Sequence, residues 1–189
     1  MIEFKNVSFS YKKKQVLKDF NLTVNNGEKI CLYGESGVGK TTILRLILGL
    51  EGADKGSVIC TDKSFSVVFQ ENRLIPFKTV EENITLFGKC DRLDYFLTCL
   101  GIDKARNKYP SQLSGGMARR VAIARALSVN ADIYIFDEPF TGLDSDNTLR
   151  AVNLINEITK DKTVISVMHD TDAADLLNSK IIKINLLTE

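Results

Sequence analysis

Apolar residues fall into short runs separated by polar turns, and their spacing predicts alternating strands and helices. Ile2, Phe4, Val7 and Phe9 form a strand-like opening that reaches Tyr11. A second β-rich stretch runs from Gln15 to Val24, before the turn Asn25-Asn26-Gly27. Lys29 to Tyr33 reads as a buried strand that feeds a glycine-rich loop, with a helix over Thr41 to Leu50 behind it. Ser57 to Cys60 and Phe65 to Gln70 read as further strands. From Thr79 to Leu127 the pattern is helical, with breaks at Gly88, Gly101 and Tyr109-Pro110. Ser114 is a candidate N-cap for a helix carrying Arg119, Arg120, Ile123 and Ala126. Ile133 to Phe136 is a continuous apolar strand of the kind that parallel sheets bury on both faces. Ser145 to Thr159 is helical, Thr163 to Met168 a strand, Thr171 to Asn178 a helix, and Lys180 to Leu187 a last strand.

This order predicts an α/β fold with a largely parallel, doubly wound sheet. The 189 residues suffice for one well-buried domain. We expect a core of about 1–78 and 129–189, with a helical subdomain inserted at about 79–128. Lys plus Arg (25) nearly balances Asp plus Glu (24), so charge gives no general attraction to nucleic acid or to a membrane surface. Lys12-Lys13-Lys14 reads as a solvated turn. Cys31, Cys60, Cys90 and Cys99 have no metal-ligand spacing and are expected to be reduced and structural. The amino terminus lacks a signal-peptide layout, and no apolar run approaches the roughly 18 residues of a membrane span. If the protein serves a membrane, it is expected to do so as a soluble subunit.

The chemistry begins at Gly34-Glu35-Ser36-Gly37-Val38-Gly39-Lys40-Thr41, a G-x-x-x-x-G-K-[ST] phosphate loop followed by Thr42. Glycines let successive backbone N–H groups face a polyphosphate, and the helix behind the loop adds its positive end. Lys40 is expected to reach the β/γ-phosphates of ATP, and the Thr41 hydroxyl to ligate Mg²⁺. Asp137 ends an apolar strand, from which its carboxylate is expected to hold Mg²⁺ through water. Glu138 follows it as the candidate general base. Taken alone, an Asp-Glu pair at a strand end is more often a helix-capping turn; behind a phosphate loop it is a catalytic candidate.

Leu113-Ser114-Gly115-Gly116-Met117, shortly before Ile133 to Pro139, resembles the signature of ATP-binding-cassette (ABC) ATPases. The resemblance covers Tyr11 to His169 and implies a RecA-like P-loop NTPase core with an N-terminal antiparallel β subdomain. It also implies a site closed by a second cassette, through donors from Ser114, Gly115 and Gly116. Tyr11 matches the aromatic that stacks on adenine, and Gln70 the glutamine that touches Mg²⁺ and senses a transmembrane partner. Asp144 matches the aspartate that faces across the dimer. His169, the one histidine, matches the switch residue that contacts the γ-phosphate. Outside this order, Tyr11, Gln70 and His169 would be ordinary strand or strand-end residues. Met117 stands where the family usually has Gln, and a thioether cannot make the amide's hydrogen bonds.

The resemblance further implies an ATP-hydrolysing transporter subunit, peripheral on the cytoplasmic face of the membrane. Its partners would be a second ATPase subunit, transmembrane permease subunits and, for an importer, a substrate-binding protein. Leu74-Ile75-Pro76-Phe77, Thr79 to Ile84, Tyr109 to Gln112 and Asp137 to Phe140 are similar to importers of the nitrate, sulfonate and taurine group. An exporter, a lipoprotein-release ATPase or a non-transport ABC ATPase remains the alternative at this point. The short stretch after the last strand leads us to expect no C-terminal regulatory domain.

Overall fold

Two sheets build the computed structural model, which describes residues 1–12, 14–61, 64–168 and 171–185. Strands β1 (Ile2–Tyr11), β2 (Lys14–Val24) and β4 (Lys55–Cys60) form an antiparallel sheet in the order β2-β1-β4. The second sheet is parallel throughout. It takes the order β5 (Phe65–Val68), β6 (Ile133–Asp137), β7 (Thr163–Met168), β3 (Lys29–Tyr33), β8 (Lys180–Lys183).

Strand alternation sends successive residues of the parallel sheet to opposite faces. Ile133 and Ile135 pack with Ile43, Leu44 and Ile47 of α1 (Lys40–Ile47) and with the inner face of the antiparallel sheet. Tyr134 and Phe136 point the other way, towards α2 (Val80–Ile84), α3 (Leu93–Cys99), α4 (Gly115–Leu127) and α5 (Ser145–Ile158). A short α6 (Thr171–Leu176) precedes β8. Burying each such side chain contributes about 1.5–3 kcal/mol, so both coverings are strongly favoured. One apolar cluster runs without interruption from α2 and α3 to the sheet face at Val68, Phe136 and Val164.

Two predicted boundaries move by three residues or more. The helix expected to reach Leu50 ends at Ile47, because Gly49 takes a left-handed φ of 66° and its N–H turns back to Leu46. The last strand, expected to reach Leu187, ends at Lys183. Its partner β3 turns away into the glycine loop after Tyr33, and Ile184 makes the last bond, from its N–H to the Tyr33 carbonyl at 2.7 Å; residues beyond Asn185 lie outside the described set.

Candidate functional site

β3 delivers the chain into the glycine loop, and α1 starts directly behind it. Gly39 is the N-cap of α1 with φ 107°, a conformation open to glycine and strained for other residues. Gly34 is required for a different reason: a Cβ there would stand 2.4 Å from the carbonyl oxygen of Ile184. Ser36, Gly37, Gly39, Lys40, Thr41 and Thr42 line one side of a cleft of about 400 Å³. Tyr11, Lys14 and Val16 line another side, and Gln70, Glu138 and Val167 complete it.

Lys40 is nearly buried, and its ammonium donates to the carbonyls of Gly34 (2.7 Å) and Glu35 (2.8 Å). Burial pushes its pKa below the ordinary lysine value, against the opposing pull of Glu138 and Asp137. An anion in the cleft would restore what burial removes, so the lysine is set for phosphate. Val38 is buried in the core, and Gly34 and Glu35 face a separate depression beside Lys183 and Ile184.

Asp137 is buried at the C-terminal end of β6. It lines a smaller cavity of about 170 Å³ together with Thr41 and Gln70, and the latter two also line the main cleft. Among the described residues no group of three His, Cys, Asp or Glu is placed to hold a metal ion. A hard cation such as Mg²⁺ takes few protein ligands and completes its shell with phosphate oxygens and water, which fits a hydroxyl, a carboxylate and an amide.

Glu138 has φ 50°, although it is not glycine. Such a conformation costs on the order of 1–3 kcal/mol and persists where its surroundings over-determine it. Its N–H donates to the Val167 carbonyl at 2.9 Å, and Thr141 Oγ1 donates to its carboxylate at 3.4 Å. The bond to β7 holds the backbone on its N–H side, and the residue lines the cleft opposite the glycine loop.

Tyr11 ends β1, its ring edge-on to Phe9 with centroids 4.8 Å apart, and it is part-exposed at the cleft. Ser114, Gly115 and Gly116 do not line this cleft. They form the start of α4, with Ser114 Oγ accepting from the Met117 N–H at 3.2 Å. Gly116 packs on the loop before α5, where a Cβ would lie 3.1 Å from the Gly142 carbonyl. Asp144 caps α5, accepting from the Asn147 backbone at 2.8 Å, and these hydrogen bonds hold its pKa below the usual carboxylate value. Met117 packs its thioether against the apolar cluster instead of offering an amide. His169 lies outside the described residues.

Two contributors escaped the sequence reading. Lys14, read as part of a solvated turn, begins β2 and lines the cleft. Arg119 was placed only as a helix residue. It is 2% exposed and joins the ends of β5 and β6. Its signal was available: it shares a helix face with Ile123 and Ala126, so a charge stands on an apolar stripe.

A family model described as ABC transporter matches residues 17–141. The chain is 36% identical over 184 residues to the aliphatic sulfonates import ATP-binding protein SsuB of Bacillus licheniformis, across 89% of this chain and 72% of that protein. It is also 36% identical over 186 residues to the nitrate import ATP-binding protein NrtD of Synechococcus elongatus, across 88% and 68%. Among solved structures, it is similar to the dimeric post-hydrolysis state of the ATP-binding cassette MJ0796 bound to ADP and Pi. That likeness has a TM-score of 0.83 at 30% identity, across 98% of this chain and 94% of that one.

Proposed function

The chain belongs to the ABC transporter family, and from that premise we propose that it hydrolyses Mg-ATP to drive an importer through separate membrane subunits. One observation carries the chemistry: Lys40 and Thr41 of α1 and Glu138 beyond β6 line the same cleft. ATP phosphates replace the Gly34 and Glu35 carbonyls as partners of Lys40. Thr41 and Gln70, with Asp137 through water, would hold Mg²⁺, which would supply positive charge against the negative charge of the phosphates. Glu138 accepts the proton of the attacking water. Tyr11 stacks on adenine, and His169 is assigned to the γ-phosphate by its place in the motif order alone.

The signature residues serve a second cassette. Ser114, Gly115 and Gly116 stand at the start of the 13-residue α4, and the first N–H groups of a helix lack intrahelical partners. They are set apart from their own cleft, so we assign them to the cleft of a partner subunit, in line with the dimeric state of MJ0796. Import is supported by the names of SsuB and NrtD and by the similar segments around Phe77 and Phe140. No helix among the described residues is long and apolar enough to cross a membrane. An ATP-driven importer subunit works where ATP is, so we place the chain on the cytoplasmic face, beneath permease subunits served by a substrate-binding protein. The docking face is an apolar groove of about 420 Å³ lined by Phe65, Phe69, Ile75, Phe87 and the arginines Arg73 and Arg125. Phe77, 76% exposed, stands on the loop beside it, where Asn83 bonds both the N–H and the carbonyl of Ile75.

Glu138→Gln tests the chemistry. ATP binding should persist while turnover falls about 10²- to 10⁴-fold, the usual cost of losing a general base. A wild-type rate in the assembled complex overturns the assignment.

A further inference from the structure

Arg119 takes no part in the hydrolysis as described above, yet its guanidinium makes six hydrogen bonds beside it. Its guanidinium sits between β5 and β6, just past Val68 and Phe136, the last ladder pair between those strands. Nη1 donates to the carbonyls of Phe69 (2.6 Å) and Gln70 (3.2 Å) and to Asn72 Oδ1 (3.3 Å). Nη2 donates to the Asp137 carbonyl at 2.7 Å and to the Glu138 carbonyl, and Nε donates to the Pro139 carbonyl at 2.9 Å. The strands separate here, and their carbonyls lose the donors that the ladder supplied. One planar fork from α4 replaces them, which a lysine ammonium with three donors cannot match.

Glu138 is what the fork holds. Its left-handed peptide is fixed on one side by the N–H bond to Val167. Arg119 fixes the other side, at the carbonyl. Burial lowers the Arg119 pKa, with the Asp137 and Glu138 carboxylates opposing it, and a guanidinium remains charged all the same.

We propose that Arg119 is a positioning residue that sets the left-handed Glu138 peptide, and so the aim of the general base, and ties that setting to the segment Phe69 to Asn72. The proposal rests on the reading of Glu138 given above. Phe69 and Arg73 line the apolar groove assigned to the membrane partner, so a shift there reaches Glu138 through a single side chain.

Arg119→Lys keeps the charge but offers three donors where six acceptors are served. In the assembled complex kcat should fall about 10²-fold, the loss that follows a misplacement of about 1 Å. KM for Mg-ATP should not change, because Arg119 does not line the cleft and the base whose aim it sets acts only in the transition state. Arg119→Gln should show the same split. Glu138→Gln and the double variant are measured beside them, and in the Glu138→Gln background Arg119→Lys should cost nothing further. A wild-type kcat in Arg119→Lys, with Glu138→Gln inactive, overturns the positioning role alone. So does a loss of ATP binding and of folding in both Arg119 variants, which assigns the arginine to the fold. Full turnover in Glu138→Gln instead removes the general-base reading, and this proposal with it.

Discussion

Gly34→Ala sets the packing behind the glycine loop against its chemistry. The added Cβ would stand 2.4 Å from the Ile184 oxygen and 3.2 Å from Val38 Cγ2, and the first of these gaps must open to at least 3.0 Å. Neither neighbour yields easily. Ile184 is 6% exposed in the core and its N–H is bonded to Tyr33 at 2.7 Å, while Val38 is 4% exposed. Overpacking of this kind costs about 1–3 kcal/mol, which in a domain of this size lowers Tm by roughly 2–4 °C per kcal/mol. The loop, the freer of the two bodies, should give way and carry its N–H groups off the phosphates, so ATP affinity falls with stability. Gly37→Ala is the control. It has φ 82° and no atom within 4 Å of the added Cβ, so it should cost only the left-handed backbone penalty of roughly 1–2 kcal/mol. Urea unfolding and equilibrium ATP binding measured on both variants decide the matter. If Gly34→Ala is as stable as wild type, or less perturbed than Gly37→Ala, the contact with Ile184 does not constrain the loop.

Two further outcomes concern assembly. Ser114→Arg puts bulk and charge at the start of α4 and should abolish the Mg-ATP-driven dimerisation of Glu138→Gln, read by size-exclusion with light scattering; a dimer that survives the arginine refutes the shared site. Phe77→Ala should lower co-purification with the membrane subunit and leave ATP binding unchanged, because the cleft does not include it; full recovery of a folded mutant removes Phe77 from the interface.

Most of the fold was legible because its signals are local. Ile133 to Phe136 is apolar at every position, the pattern of a short strand covered on both faces. The Ser114 cap followed from a hydroxyl placed before a helical run, and α4 begins at Gly115. The cleft was legible for the same reason: six of its lining residues are consecutive or nearly so along one loop and helix. The misplaced strand end was not local. Nothing in Ile184 to Leu187 marks a stop, since the limit is set by β3 turning away some 150 residues earlier. Lys14 misled because a run of three lysines has the composition of a turn, while the antiparallel pairing of Lys14 with Tyr11 places it in the sheet.

Arg119 shows where such reading ends and what lies beyond it. A charge on an apolar stripe announces that something buried is polar, but only the fold reveals five backbone carbonyls waiting for it. Backbone acceptors leave no mark in the sequence, because every residue type carries the same carbonyl. Lys40, Thr41, Asp137 and Glu138 are read from their side chains, which the sequence prints directly. The device that holds those motifs in register is addressed to the main chain, and its single legible part is the arginine.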